Sequence, residues 1–101
     1  MYILDMTYYL KRDYKLLGFR KSPNLNKMYY ALLENKQNKK LVRVHFGHDK
    51  YKNYRDITGL NAYPTLIHGD SDRRRRYRAR AVGKIRPDSY SASHFSYHFL
   101  W

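Results

Sequence analysis

The feature that most constrains the fold of this chain is its charge. It carries 21 Lys and Arg residues against 8 Asp and Glu residues, a formal net charge of +13 on 101 residues. Like charges held in a compact shape repel one another, so this excess works against folding. Interspersed charges of both signs would serve solubility better than such a one-sided surface. We therefore expect a polyanionic partner that neutralises the excess.

The chain has room for one small domain. Its 101 residues fall within the usual size of one domain, and a domain this short buries only about 60–65% of its unfolded-chain surface. Hydrophobic residues make up 43% of the chain, but 12 of them are tyrosines, whose hydroxyl suits half-buried positions. We expect a single α+β domain over residues 1–101, with a thin core.

Hydrophobic spacing predicts the first element, in residues 1–17. Between residues 5 and 17 the apolar residues recur at steps of three and four, which is typical of a short amphipathic helix. The neighbouring tyrosines Tyr8 and Tyr9 leave a strand possible. Either element is expected to end at Gly18.

The middle of the chain predicts a β-hairpin and then a loop. Residues 27–33 and 40–46 are rich in aromatic and β-branched types, with a polar stretch between them, so we expect a hairpin over residues 27–46. In its second strand Val42, Val44 and Phe46 should face the core, and Arg43 and His45 the other side. Residues 47–69 have no clear period and are expected to form an irregular loop.

Two helices are expected in residues 70–101. Asp70 and the polar residues after it form an N-cap for a basic helix over residues 72–82, which Gly83 ends. A turn at Pro87 and Asp88 follows. Ser91 then caps an aromatic helix over residues 91–101. We expect a β-hairpin or short antiparallel sheet packed with these two helices, and the aromatic helix as an essential part of the core.

The basic helix is the main candidate binding site, because six of its eight residues from 73 to 80 are arginines. Arginine presents a planar fork that fits phosphate oxygens in pairs, and the few acids in the chain cannot neutralise this cluster. Since exposed arginines contribute little to stability, replacing Arg74 and Arg78 is expected to leave the fold intact. The full set of candidate polyanion-binding residues is Arg73, Arg74, Arg75, Arg76, Tyr77, Arg78, Arg80, Lys84, Arg86, Arg43 and Arg55.

Tyrosines interleaved with basic residues admit two interpretations. They could stack on unpaired bases, or they could anchor a protein interface, where Tyr and Arg are enriched. The tyrosines concerned are Tyr51, Tyr54, Tyr63 and Tyr77.

Catalytic and metal sites are expected to be absent. His94 and His98 lie four residues apart, which supplies half of a zinc site without a third ligand. His68, Asp70 and Asp56 could in principle hold a metal for nuclease chemistry, but Asp70 is better explained as a helix cap. We expect no enzyme, no cofactor and no small-molecule substrate.

Several motifs together resemble a family of short, basic, uncharacterised proteins encoded by large DNA viruses of algae and protists, with related tails in phages. The similarity runs from about Leu16 to the C-terminus. It comprises the Phe46-Gly47 turn, the Tyr54-Arg55-Asp56 loop, the Arg73–Arg80 helix and the aromatic ending at Trp101; Ala81 stands where the family usually has His. The resemblance implies a viral origin and an α+β fold whose last helix packs under the arginine helix.

Two functions follow as expectations. The first is a non-enzymatic viral protein that binds DNA or RNA through phosphates, without strong sequence preference. The second is a structural protein of the virion, a minor capsid or cement protein docked on an acidic coat-protein surface. Because Asp5 interrupts the apolar start and no run reaches the ~20 residues of a membrane span, we expect no secretion signal and no membrane. The protein should act in the virion or the host-cell interior.

Overall fold

The computed structural model describes residues 7–101, in which four of the five strands precede the first α-helix and the fifth lies between the two α-helices. The strands are β1 (Tyr9–Leu10), β2 (Tyr14–Lys21), β3 (Tyr29–Asn35), β4 (Leu41–Phe46) and β5 (Ser89–Tyr90). The α-helices are α1 (Ser71–Ala81) and α2 (Ala92–Phe95), with short 3-10 turns at Pro64–Leu66 and Val82–Lys84. A π-helical turn, Ser96–Leu100, continues α2, and we call residues 92–100 the terminal helix. The α+β class and the single domain are confirmed.

An antiparallel sheet in the order β2-β3-β4 forms one layer, and β1 pairs separately with β5. The expected hairpin is its β3–β4 half. Alternate residues of β3, namely Tyr29, Ala31 and Leu33, are fully buried on the inner face. On β4, Val44 and Phe46 share that face, while Arg43 is exposed. The period of two therefore predicted this hairpin correctly.

Of the two elements considered for the first 17 residues, the helix is wrong for the described part and the strand is correct at β1, beside Tyr8. Residues 14–21 form a second strand, β2. Gly18 does not end the element. It lies inside the strand at a β-bulge, where the pairing with β3 shifts between Leu16 and Gly18. Because of the bulge, Leu17 is exposed to solvent and Phe19 packs against the core. The apolar residues of this strand therefore do not alternate strictly, as those of a regular strand would. Residues 1–6 lie outside the described part.

Hydrogen bonds from one buried tyrosine hold the loop at residues 47–69 against the sheet. The Tyr29 hydroxyl donates to the Asp56 carboxylate and accepts from the Ala62 amide at 3.0 Å. Burial and the hydrogen bond to Asp56 raise the pKa of Tyr29 to about 12. A parallel bridge joins Asn53 and Ile67 near the base of the loop. The loop is irregular, as expected, but it is anchored at both ends.

The terminal helix covers the inner face of the sheet. The Ser91 hydroxyl caps its start by accepting from the His94 amide at 3.1 Å, as expected. Phe95 and Leu100 are fully buried. An α-helix turns about 100° per residue, so in a regular α-helix Leu100 would point well away from the side that carries Phe95. The π turn is wider and turns less per residue, so Leu100 lies on the same side of the helix as Phe95.

The turn after β4 requires glycine at residue 47. Its φ is +75°, and a Cβ there would lie 3.0 Å from both Leu100 Cδ1 and Met28 Sδ. Glycine tolerates this φ and has no Cβ to collide. The glycine after Phe46 therefore allows Leu100 of the terminal helix to pack closely against the end of β4.

No helix within residues 7–101 is long and apolar enough to cross a membrane.

Candidate polyanion-binding surface

Helix α1 presents the basic residues, and its start is capped as the sequence predicts. The Asp70 carboxylate accepts from the amides of Asp72 at 2.9 Å and Arg73 at 3.2 Å. These bonds, above all the one from the Arg73 amide, lower the pKa of Asp70. A carboxylate at this position also complements the positive end of the helix dipole. Asp70 thus serves the helix.

The arginines of α1 divide between two faces of the helix. Arg74, Tyr77, Arg78 and Ala81 are half-buried, whereas Arg73, Arg75, Arg76 and Arg80 are exposed. The half-buried residues follow steps of three and four, so they share one face. This inner face packs against the end of the terminal helix.

Two arginines of the inner face bind main-chain oxygens of the terminal helix. Arg74 Nε donates to the Trp101 oxygen at 2.8 Å, and its guanidinium lies 4.8 Å from the ring centre of Tyr54. Arg78 donates to the Tyr97 oxygen at 3.2 Å and lies 4.0 Å from the Tyr97 ring centre. These guanidinium groups hold the fold together.

The loop completes the same arrangement. Arg55 donates through its side chain to the His98 oxygen at 3.2 Å and through its amide to the Leu100 oxygen at 3.0 Å. The Ile57 amide donates to the Phe99 oxygen at 3.0 Å. A helix leaves its last carbonyls without partners inside the helix, and here every main-chain oxygen from 97 to 101 accepts a bond from α1 or the loop. We call Arg55, Arg74 and Arg78 the capping arginines.

Aromatic stacking joins the two helices as well. The Tyr77 and Trp101 rings are stacked, with their centres 4.2 Å apart and 10° between their planes. The ring centres of His68 and Trp101 are 5.1 Å apart. Burial raises the pKa of Tyr77. Burial, followed by the charge of Arg73, lowers the pKa of His68. The terminal helix thus packs beneath the arginine helix.

Apart from Arg75, the remaining basic residues of α1 and of the 3-10 turn after it lie along one outward line. We call them the basic stripe: Arg73, Arg76, Arg80 and Lys84. The steps of three and four place the three arginines on one side of α1, and Lys84 follows in the next turn. Within residues 7–101 no side chain of the stripe forms a hydrogen bond or ion pair. Arg75 differs, since it pairs with Asp72 at 3.4 Å on another side of the helix.

Most acids of the described part have partners outside the stripe. Asp56 accepts from Tyr29 and Thr58, and Asp70 caps α1. Asp13, Asp49 and Asp72 take part in surface pairs with Arg12, His48 and Arg75. Asp70 lies near Arg73, whose charge helps to lower its pKa, and Asp72 lies one turn before Arg76 in α1. Neither forms an ion pair with the stripe; the ion pair of Asp72 is with Arg75.

Two further predicted binding residues lie outside α1. The Arg86 guanidinium lies 4.0 Å from the Tyr8 ring centre, and that of Arg43 lies 4.8 Å from the Tyr30 ring centre on the sheet. The structure therefore distributes the predicted residues over the stripe, the capping contacts, these two arginine–tyrosine pairs, the Arg75–Asp72 ion pair and the Tyr77–Trp101 stack.

Most of the tyrosines proposed for base stacking have their rings in contact with other side chains of the protein. Tyr54 faces Arg74, Tyr63 packs on Tyr29 at 5.7 Å, and Tyr77 stacks on Trp101. Tyr51 is 68% exposed. Of the four, Tyr51 is the one that offers most of its ring to a partner.

A cleft of about 290 Å³ beside β4 contains residues that the sequence analysis missed. Its cationic lining is Lys27 and Arg43, with the imidazole of His45 beside them and no acid among the lining residues. Burial, then the charges of Arg43 and Lys27, lowers the pKa of His45. The outward position of Arg43 and His45 was readable from the strand period; the approach of Lys27 and Tyr8 depends on tertiary structure.

Histidines and acids do not gather into a metal centre in the described part of the chain, where no group of three or more ligating side chains occurs. The His94 and His98 rings lie 4.6 Å apart. Burial, followed by the charges of Lys11 and His98, lowers the pKa of His94 to about 4. The pair therefore belongs to the packing of the terminal helix.

No family model, curated protein or solved structure matches this chain. The resemblance to the viral family stays a prediction.

Proposed function

We propose that this protein binds nucleic acid through the phosphate backbone, with the basic stripe of α1 as the principal contact and without strong sequence preference. The observation that carries the proposal is that Arg76, Arg80 and Lys84 are exposed on one side of the helix, with no hydrogen-bond or ion-pair partner among residues 7–101. Such a row of cations repels itself unless anions lie alongside.

The capping arginines strengthen this interpretation. Arg74 and Arg78 are used inside the molecule, and their bonds to main-chain oxygens attach α1 to the terminal helix. Arg55 attaches the loop to the same helix. The stripe is therefore presented on a helix that is already packed, so little backbone order has to be gained when a phosphate backbone binds. Guanidinium forks suit phosphate oxygens better than a point charge does.

Salt dependence tests the proposal. Each neutralised phosphate releases counterions, so four contacts to duplex DNA give a slope of about −3 to −4 for log K against log salt. The dissociation constant of a 20-base-pair duplex is measured by fluorescence anisotropy from 50 to 300 mM salt. Arg76→Ala should lower the magnitude of the slope by about 1. A slope near zero, or no binding at 50 mM salt, contradicts nucleic-acid binding.

The second function expected from the sequence, docking on an acidic coat-protein surface, is the other outcome of this measurement. A protein that ignores DNA and RNA at low salt, yet binds an acidic polypeptide through the same stripe, would belong to that class.

A further inference from the structure

A second basic surface lies next to the stripe. The cleft beside β4 is bounded by residues 7–9, by the start of the terminal helix and by β4, and it is lined by Lys27, Arg43 and His45 without any acid. Of its two ring nitrogens, His45 uses Nδ1 to contact the Ser22 hydroxyl at 2.8 Å. The cleft therefore has two cationic side chains in its lining, those of Lys27 and Arg43, and no acid.

The cleft and the stripe form one continuous surface. Ser93 lines this cleft and also a smaller one of about 150 Å³ that contains Arg80 and Lys84 of the stripe. Tyr8 makes a second connection, since it lines the cleft, its hydroxyl donates to the Lys84 oxygen at 3.2 Å, and Arg86 covers its ring. Basic groups therefore continue from α1, past Ser93, to the edge of the sheet.

The route passes from an exposed helix face into a cleft, and this bears on the kind of nucleic acid that fits. Duplex DNA is stiff over about 150 base pairs, so a duplex lying along the stripe cannot also turn into a cleft between β4 and the terminal helix. A single strand bends at each nucleotide and can follow both parts.

Aromatic rings along the route favour the same class of ligand. Arg86 lies over the Tyr8 ring and Arg43 over the Tyr30 ring, and the ring centres of Tyr30 and His45 are 5.4 Å apart. Unlike Arg74 on Tyr54, both of these arginines are exposed, so their guanidinium planes are accessible to a base. Unpaired bases stack on aromatic side chains and on guanidinium planes, whereas the bases of a duplex are already stacked on one another.

Resting on the proposed function, we propose that the ligand is single-stranded nucleic acid, whose phosphates run from the basic stripe past Ser93 into the cleft of Lys27, Arg43 and His45.

The test compares a fluorescein-labelled single-stranded 20-mer with its blunt duplex at 50 mM salt. Lys27→Glu with Arg43→Glu reverses the two positive charges of the cleft. Lys36→Glu with Lys40→Glu, in the exposed β3–β4 loop, changes the net charge by the same amount. Affinity for the single strand should fall about tenfold or more in the cleft variant. Affinity for the duplex should change no more than in the loop variant.

Equal losses for single strand and duplex, or losses no greater than those of the loop variant, overturn the single-strand route. Failure of the proposed function looks different, because Arg76→Glu with Arg80→Glu would then leave both ligands bound as in the wild type. If thermal melting shows that the cleft variant does not fold, the proposal is tested instead by NMR on the wild-type protein. The imidazole NMR signals of His45 should shift on adding the single-stranded 20-mer and stay in place with the duplex; the reverse rejects the proposal.

Discussion

At the scale of single residues, neighbouring arginines of one helix have different roles. Arg74 and Arg78 donate to the Trp101 and Tyr97 oxygens, while Arg76 and Arg80 are exposed. Residue type is the same in all four cases, so the role is set by the face of α1 on which each residue lies. The expectation that Arg74 and Arg78 are dispensable for the fold does not agree with these contacts.

Arg74→Ala and Arg78→Ala should therefore each lower the free energy of unfolding by about 1–3 kcal/mol, because each leaves a helix-end oxygen without its charged donor. Urea denaturation measures the effect. Arg76→Ala and Arg80→Ala are the matched controls, with expected changes within about 0.5 kcal/mol. Equal stability of all four variants would show that the capping bonds contribute nothing.

At the scale of elements, the terminal helix connects the sheet to α1. Phe95 packs on Phe19 and Phe46, and Trp101 stacks on Tyr77 of the basic helix. This helix and its part in the core were both predicted from the sequence. Its aromatic residues Phe95, Phe99 and Trp101 are buried or half-buried in the domain, as expected.

Titration of His94 within this helix should make stability depend on pH. In the folded protein burial lowers its pKa from 6.5 to about 4, so between these values the unfolded chain binds more protons. The linkage then makes stability fall as pH decreases from about 6.5 to about 4, by up to about 3 kcal/mol. His98, His45 and His68 have pKa values lowered in the same direction and add to the slope.

Urea denaturation at several pH values checks this, with His94→Gln as the comparison. The variant should lose part of the acid destabilisation, whatever its stability at neutral pH. An unchanged pH profile in the variant would exclude His94 as a source.

At the scale of the whole molecule, the parts that follow local rules were predictable and the parts that depend on packing were not. The hairpin period, the Asp70 and Ser91 caps and the line of arginines are all visible in the sequence. Strand β2 was missed because the bulge at Gly18 breaks its alternation. The division of the arginines could not be predicted, because it depends on where the end of the terminal helix lies.

This division is the central claim: the capping arginines hold the fold, and the basic stripe faces a polyanion. The most direct test is the affinity of Arg76→Glu with Arg80→Glu for nucleic acid, measured by anisotropy at 50 mM salt. Lys36→Glu with Lys40→Glu is the control of equal net charge. We predict that the stripe variant binds about tenfold or more weakly than the loop variant, while both melt like the wild type. Equal affinities of the two variants would mean that net charge alone drives binding, and would contradict the account.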